Sequence, residues 1–402
     1  MPANRRTQSS DGHRDAAVVP ALGVPSSVAA VRTLGRHGVD PIAVSSNPKP
    51  PAFYSKYCAE QVIVPSPRES MDAYADALLE LAGRDRVKAL LPMREADIYA
   101  LAANRAAFAR RVDPVWPPFE TLRNVQDRLT LLSLAEDLGI PTPDSQLLTE
   151  WPDTTDRLVV KSRYTIVVDE DDPGANYPGV EVIPRGASPS LDDAVEEMGH
   201  VPLVQEFIPN GGEYGFFALY DHGEPVATFQ HERVRSGAYT GGASVYRRAI
   251  DIPTLERYGL ALLSELDWHG PAMVEFRRSR RDGTFRLMEV NPRFWGSLAL
   301  PIRAGVDFPN LYFQLATGER PTQNGYRTGV GSHVLRGELG YLYTVLRGSE
   351  YEEPPPLGGE LLDIAHSLAQ QPHFDFLSVD DPVPLGADLR NLASDLFDHS
   401  PS

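Results

Sequence analysis

The fold of this chain is decided by Pro271-Ala-Met-Val-Glu-Phe-Arg277, then Arg281-Asp-Gly283, then Phe285-Arg-Leu-Met-Glu-Val-Asn-Pro-Arg293. The apolar composition of the two longer stretches and the turn between them predict a hairpin of two strands, Pro271–Arg277 and Thr284–Asn291. Glu275 and Glu289 each lie inside one of these strands. A lone charge among apolar neighbours is costly unless something neutralises it, so these two carboxylates are the first candidates for a functional site.

The length of the connecting loop decides whether the two glutamates share a face of the hairpin. A two-residue turn would put them on opposite faces. A three-residue loop, Arg281–Gly283, places glycine at the last position, where a left-handed conformation is required. That loop sets Glu275 directly opposite Glu289, with Asn291 two residues further along the same face.

Two carboxylates and one amide oxygen on a single face suit Mg²⁺, which prefers hard oxygen ligands and is completed by water and phosphate oxygens. The hairpin therefore predicts a metal site formed by Glu275, Glu289 and Asn291. The alternative is a solvent-exposed strand face with incidental acidic residues.

Composition excludes several classes of function. The chain has 402 residues, 42% of them hydrophobic, and a net charge of −17, which argues against non-specific nucleic-acid binding. No apolar stretch approaches the length of a membrane span, and residues 1–15 lack a signal-peptide core, which favours a disordered leader. Cys58 is the only cysteine, so neither an intramolecular disulfide nor a cysteine zinc cluster is expected. Together these features indicate a cytoplasmic protein.

The order of elements predicts an α/β region followed by an α+β region. Short apolar runs alternate with helical patterns in residues 16–122, which is typical of a parallel sheet, but no GxGxxG motif indicates NAD. The stretch Asn124–Leu138 is predicted to be one amphipathic helix. Beyond Trp151 the pattern changes to strands joined by hairpins, including Leu158–Lys161, Leu203–Ile208, Gly215–Tyr220 and Pro225–Gln230.

The stretch Leu287-Met-Glu-Val-Asn-Pro-Arg-Phe-Trp-Gly-Ser297 resembles the metal-binding strand and following turn of ATP-grasp enzymes. Within that superfamily it looks most like the carbamoyl-phosphate-synthase-like and carboxylate–amine ligase branch. The resemblance extends from about Val18 to Gly318 in the same order of elements. It implies an N-terminal Rossmann-like pre-ATP-grasp domain, then a two-subdomain ATP-grasp fold that clamps ATP with Mg²⁺ or Mn²⁺.

These expectations divide the chain into four parts. They are a leader at 1–15, the pre-ATP-grasp domain at 16–122, the ATP-grasp domain at 123–330 and a C-terminal helical extension at 331–402.

The resemblance also implies a set of nucleotide-binding residues. Lys161 matches the strand-end lysine that contacts the α- and β-phosphates, and Arg128 stands where many relatives carry a lysine. The hinge that would bind adenine matches Gln205, Glu206, Phe207 and Ile208, and Glu213, seven residues after Glu206, would bind the ribose hydroxyls. Taken singly, the lysine and each glutamate are more typical of a solvated surface, and it is their order along the chain that favours nucleotide binding.

Three arginines are implied at the reacting end of the nucleotide. Arg233 or Arg235 would steady the γ-phosphate, and Arg293, which follows Asn291 and Pro292, would bind phosphate or a substrate carboxylate. An arginine-rich solvated strand is the alternative for the first two. Residues 162–190 occupy the place of the phosphate-covering lid, although the acidic run Asp169–Asp172 departs from the family pattern.

The function that these residues imply is ligation. A small-molecule carboxylate would attack the γ-phosphate of ATP, and an amine would displace phosphate from the resulting acyl phosphate. The alternatives are an ATP-grasp kinase, a carboxylase, or a nucleotide-binding regulatory protein without turnover. The expected partners are the carboxylate and amine substrates, with no nucleic acid and no membrane, and a homodimer is left open.

Overall fold

The computed structural model of the chain describes residues 14–152, 156–168, 174–323, 325–348 and 353–398. No helix within these residues is long and apolar enough to cross a membrane. The predicted leader lies almost wholly outside the described residues, and so does the acidic run Asp169–Asp172 of the predicted lid.

The first part of the chain forms a parallel four-stranded sheet with helices around it. Its strands run in the order β3-β2-β1-β4, and every pair is parallel, as the sequence predicts. The elements are β1 (Ala16–Pro20), α1 (Pro25–Arg36), β2 (Asp40–Ser45), β3 (Glu60–Ile63), α2 (Met71–Ala82), β4 (Val87–Leu90), α3 (Glu95–Ala103) and α4 (Arg105–Phe108).

The predicted single helix Asn124–Leu138 is wrong, because the structure has two helices there. These are α5 (Phe119–Gln126) and α6 (Arg128–Asp137). Asp127 breaks the run because it has extended backbone angles and its side chain caps α6, accepting from the amide of Leu129 at 3.1 Å. The break places Arg128 at the first position of α6.

A small antiparallel sheet follows, with strand order β5-β8-β6-β7. Its elements are β5 (Ser145–Leu147), β6 (Leu158–Lys161), β7 (Val180–Ile183), α7 (Leu191–Met198) and β8 (Leu203–Glu206). Strand β6 has the predicted bounds, and its last residue, Lys161, is buried.

The remaining strands form an antiparallel sheet of six, in the order β13-β12-β9-β10-β11-β14. The strands and helices are β9 (Asn210–Asp221), β10 (Glu224–Ala238), β11 (Gly241–Ala249), α8 (Pro253–Glu265), β12 (Gly270–Ser279), β13 (Phe285–Asn291), α9 (Ala299–Ala304), α10 (Phe308–Ala316) and β14 (Gly331–His333). Three helices complete the chain: α11 (Leu335–Arg347), α12 (Leu357–Gln370) and α13 (Val383–Asp398). The predicted turn between β9 and β10 is confirmed, with positive φ at His222 and Gly223.

The six-stranded sheet and the N-terminal part contribute to two common hydrophobic cores. Phe216 lies in one core with Val18 of β1, and Phe217, which points to the other face of the large sheet, lies in the second core with Val19. Glu95 of α3 contacts Arg293, directly after β13, so α3 lies beside the hairpin β12–β13.

Candidate functional site

The predicted pairing of Glu275 with Glu289 is confirmed, although the loop that produces it differs from the prediction. Ser279 bonds to Thr284 across the turn, so the loop has four residues, 280–283, instead of three. Gly283 at its last position has the left-handed φ of +72° that the sequence predicts. A bulge at Met288 then shifts the register by one residue and sets Glu275 opposite Glu289.

The three predicted metal-ligating residues converge on one face. The Nδ2 of Asn291 lies 3.3 Å from Oε1 of Glu275 and 3.2 Å from Oε1 of Glu289. The side chains of Glu275 and Glu289 are 26% and 30% exposed, so the pair is open on one side. A dense group of oxygen donors is therefore accessible from solvent.

The two carboxylates have opposite protonation preferences. Burial, together with the charge of Glu289, raises the pKa of Glu275 to about 7. Burial also acts to raise the pKa of Glu289, but the positive charges of Arg128 and Lys161 outweigh it and lower that pKa. At neutral pH Glu275 is therefore protonated about half of the time while Glu289 is ionised, and a bound cation would displace that proton.

Cations from three different elements surround this pair. Arg128 of α6 lies 3.5 Å from Glu289, and Arg233 of β10 lies 3.8 Å from Glu275. Lys161 reaches the site from the small sheet, where burial and then the charge of Arg128 lower its pKa to about 7. Their common surroundings indicate a region built to hold additional negative charge.

Glu213 lies next to this group but is already held by arginines. Its Oε2 bonds to Arg233 and its Oε1 to Arg277, each at 2.6 Å. These three residues form a row across β10, β9 and β12 on the same face as Glu275. A role of Glu213 at the ribose stays a prediction, and binding of two hydroxyls there would compete with these ion pairs.

The predicted hinge residues have mixed environments. Gln205 and Ile208 are buried, and Gln205 donates to the hydroxyl of Ser145 at 2.8 Å. Glu206 keeps 32% of its side chain exposed and lies 3.5 Å from Arg281, and its backbone N–H donates to Asp144 at 2.8 Å. Phe207 is covered by a guanidinium 4.0 Å from its ring centre. The hinge is thus apolar on one side and open on the other.

Arg293 joins the site through a residue that the sequence did not single out. Its Nη2 donates to the Oδ1 of Asn291 at 2.8 Å, and its Nε lies 3.0 Å from Glu95 of α3. Glu95 is buried, its Oε2 has no hydrogen-bond partner, and burial raises its pKa. Because 198 residues separate Glu95 from Arg293 in the chain, no local pattern signals the contact.

Arg235 is the predicted site residue that the structure places elsewhere. Its Nη1 makes two contacts with the carboxylate of Glu338, at 2.9 and 2.8 Å, and both side chains are buried. His333 contacts the same carboxylate at 2.6 Å. Register irregularities between Arg233 and Arg235 separate the surroundings of the two arginines. Arg233, and not Arg235, therefore faces the carboxylates of Glu275 and Glu289.

Comparison with known proteins adds the following relatives. The family described as "ATP-grasp in the biosynthetic pathway with Ter operon" matches residues 202–334, which include β12 and β13, the two strands that carry Glu275 and Glu289. N5-carboxyaminoimidazole ribonucleotide synthase of Pseudomonas aeruginosa is 29% identical over 202 residues, 49% of this chain and 54% of that protein. The chain thus spans about half the length of that curated relative.

Solved structures share the fold at low sequence identity. A biotin carboxylase–β-γ-ATP complex from Campylobacter jejuni superposes with a TM-score of 0.60 and 16% identity, covering 80% of this chain and 75% of that one. An L-amino acid ligase from Bacillus licheniformis superposes with a TM-score of 0.55 and 19% identity, covering 76% and 74%.

Proposed function

We propose that this chain, which belongs to the ATP-grasp superfamily, binds MgATP and joins a small-molecule carboxylate to an amine. The observation that carries the proposal is the convergence of Glu275, Glu289 and Asn291 from one hairpin, surrounded by cations from three other elements. ADP and phosphate would be the other products. We expect the reaction to take place in the cytoplasm.

The donor set fits a divalent cation. Glu275 and Glu289 supply carboxylate oxygens, and the proton that Glu275 binds near neutral pH is the one a cation would replace. Asn291 directs its amide nitrogen to both carboxylates here, and rotation of the amide would direct its oxygen there instead. Mg²⁺ or Mn²⁺ held by these residues would neutralise phosphate charge.

Lys161, Arg128 and Arg233 support the placement of a triphosphate beside the carboxylates. Arg128 of α6 lies 3.5 Å from Glu289, and Arg233 of β10 lies 3.8 Å from Glu275. Lys161, at the end of β6, is close enough for the charges of both carboxylates to act on it. Arg128 is fixed by a 2.8 Å bond from its Nη1 to the carbonyl of Ser162, so its guanidinium is held near Glu289. A polyanion would find this cluster preorganised.

The chemistry asked of the protein is alignment and charge neutralisation. A substrate carboxylate oxygen would form a bond to the γ-phosphorus while the bond to ADP breaks, and an amine would then displace phosphate at the acyl carbon. Arg233 lies 3.8 Å from Glu275 and Arg293 donates to Asn291, and these two arginines would bind the transferred phosphoryl group and the substrate carboxylate. No protein nucleophile is needed.

A carboxylase is the second candidate. It is favoured by the match to N5-carboxyaminoimidazole ribonucleotide synthase, the curated relative with the sequence likeness given above. Both reactions begin with a carboxylate-type oxygen attacking ATP, so the metal and phosphate residues would serve either. They differ in the nucleophile and acceptor that follow.

The first test removes one metal-ligating carboxylate. We expect Glu289→Gln to lower ADP release by at least about 100-fold, since the variant keeps the shape of the side chain but loses its charge at the metal. The matched control is Glu232→Gln, because Glu232 of β10 pairs with the half-exposed Arg248 of the neighbouring strand β11. ADP and phosphate are measured with pooled carboxylates and amines, and thermal unfolding checks that both variants fold.

The products separate the candidate functions. An amide product with phosphate release supports ligation, a carboxylated product with bicarbonate supports the carboxylase, and a phosphorylated product supports a kinase. ADP release by Glu289→Gln at the unmutated rate would contradict the metal assignment.

A further inference from the structure

A second basic cavity lies where α1, α9 and the segment 375–378 meet. It has a volume of about 350 Å³ and is lined by none of the residues discussed above for metal or nucleotide. Four arginines line it: Arg32, Arg36, Arg303 and Arg327. The one acidic residue in its wall is Asp375. In a chain of net charge −17, such a concentration of positive charge calls for a compensating anion.

The acidic residues near the cavity are already paired with other cations. Asp381 binds Arg32 at 2.8 Å, and Asp380 binds Arg36 at 2.8 Å. The Oδ2 of Asp375 accepts a hydrogen bond from Arg247 at 2.5 Å. Arg247 belongs to β11 and lies outside the cavity wall. Each of these acids is bonded to one arginine, and among the described residues none of them forms a hydrogen bond or ion pair with the other two cavity arginines.

Arg303 and Arg327 are the two cavity arginines for which the described residues provide no ion pair. Within the described part of the chain, the guanidinium of Arg303 makes no hydrogen bond, and its Nε is buried without a partner. Among the same residues, the side chain of Arg327 donates only to the backbone carbonyl of Arg303, from Nη2 at 2.5 Å. Burial lowers the pKa of Arg303, the charge of Asp375 opposes this shift, and the charge of Arg327 adds to it. An anion between them would satisfy both.

We propose that this cavity binds a small dianion at a site separate from the MgATP site. A phosphate monoester and a dicarboxylate share this chemistry. Guanidinium groups match the planar oxygen pairs of carboxylates and phosphates in a bidentate manner. A cavity of this size suits a metabolite-sized ligand.

The test measures direct binding to the full chain by isothermal titration calorimetry. The probes are inorganic phosphate, glycerol 3-phosphate, malate and succinate. We expect glycerol 3-phosphate or the two dicarboxylates to bind, and Arg303→Gln and Arg327→Gln each to weaken that binding by at least about tenfold. Arg320→Gln, which changes an exposed arginine of the same region, should leave it unchanged.

The outcomes separate the sources of the anion and can overturn the proposal. Binding of glycerol 3-phosphate alone assigns a phosphate monoester, and binding of malate and succinate alone assigns a dicarboxylate. The proposal is wrong if no probe binds at millimolar concentration. It is also wrong if both arginine variants bind as the unmutated chain does, or if ATP competes with the probe. Because Arg327 is exposed, its variant remains informative even if Arg303→Gln fails to fold.

Discussion

Lys161 is a buried amine, and its positive charge lowers the stability of the folded chain unless an anion is bound beside it. Its pKa of about 7 results from burial and from the neighbouring Arg128, whereas an exposed lysine titrates near 10.5. Between these values the unfolded chain binds the proton more tightly than the folded one, so stability rises with pH. The free-energy cost of burying the charged lysine is greatest below pH 7 and decreases as the pH approaches 10.

A pH series on Lys161→Met tests this cost. Relative to the variant, the unmutated chain should gain about 2 kcal/mol of unfolding free energy between pH 7 and pH 9, because each pH unit across this window contributes up to about 1.4 kcal/mol. Urea unfolding at several pH values gives the difference. Lys49→Met, which removes an exposed lysine, should show no such trend. A difference between Lys161→Met and the unmutated chain that does not change with pH would contradict the lowered pKa.

The site residues show what a single sequence reveals and what it conceals. Glu275, Glu289 and Asn291 stand out because charged or polar residues within an apolar hairpin need an explanation, and their convergence was predictable. The contact of Glu95 with Arg293 was not predictable, because the two residues are distant in the chain and meet only in the folded structure.

At the scale of elements, the break between α5 and α6 positions a site cation. Asp127 bonds to the amides at the start of α6 and, through both carboxylate oxygens, to Arg163, with the shortest contact at 2.6 Å. Arg128 follows directly and donates its backbone N–H to the carbonyl of Arg163 at 2.9 Å. Helical periodicity ran across this break, so the pattern concealed it.

Asp127→Ala should therefore destabilise the chain by about 1–2 kcal/mol, through loss of the helix cap and of a half-buried ion pair. Chemical denaturation reports the change in midpoint. Asp137→Ala is the matched control, since Asp137 is an exposed acid at the other end of α6, where a negative charge opposes the helix dipole. Equal loss of stability in the two variants would exclude the capping role.

The hairpin β12–β13 shows a correct prediction that rested on an incorrect detail. The glycine at the end of the loop was recognised, and with it the left-handed conformation, but the loop is one residue longer than predicted. The bulge at Met288 compensates for that difference, and nothing in the local sequence announces it. Similar irregularities in β10 explain why Arg233 and Arg235 could not be distinguished beforehand.

At the scale of the whole molecule, the segment after α12 ties the ends of the chain together. The sequence predicted a C-terminal extension beginning at 331, yet Gly331–His333 is an edge strand of the large sheet. Asp375 pairs with Arg247 of that sheet, and Asp381 pairs with Arg32 of α1. The boundaries of the domains stay predictions, but this segment is part of the folded structure that holds the two regions together.

Asp381 provides the sharpest test of that role because its neighbour is a built-in control. Asp381 is buried and accepts from Arg32, from the hydroxyl of Ser55 at 2.7 Å and from the amide of Lys56 at 2.9 Å. Asp381→Asn leaves Arg32 as an unpaired buried charge, for which a loss of about 3–5 kcal/mol is expected. Asp380→Asn weakens exposed contacts with Arg36, Lys56 and the hydroxyl of Tyr57 and should cost less than about 1 kcal/mol.

Thermal and urea unfolding of the two variants measures this contrast. If the C-terminal segment were merely appended to a complete ATP-grasp fold, the two substitutions would have similar, small effects. A large loss confined to Asp381→Asn instead means that the segment and α1 unfold together with the rest of the chain. In that case the basic cavity, whose wall includes Arg32 and Asp375, is held by the same contacts that stabilise the whole molecule.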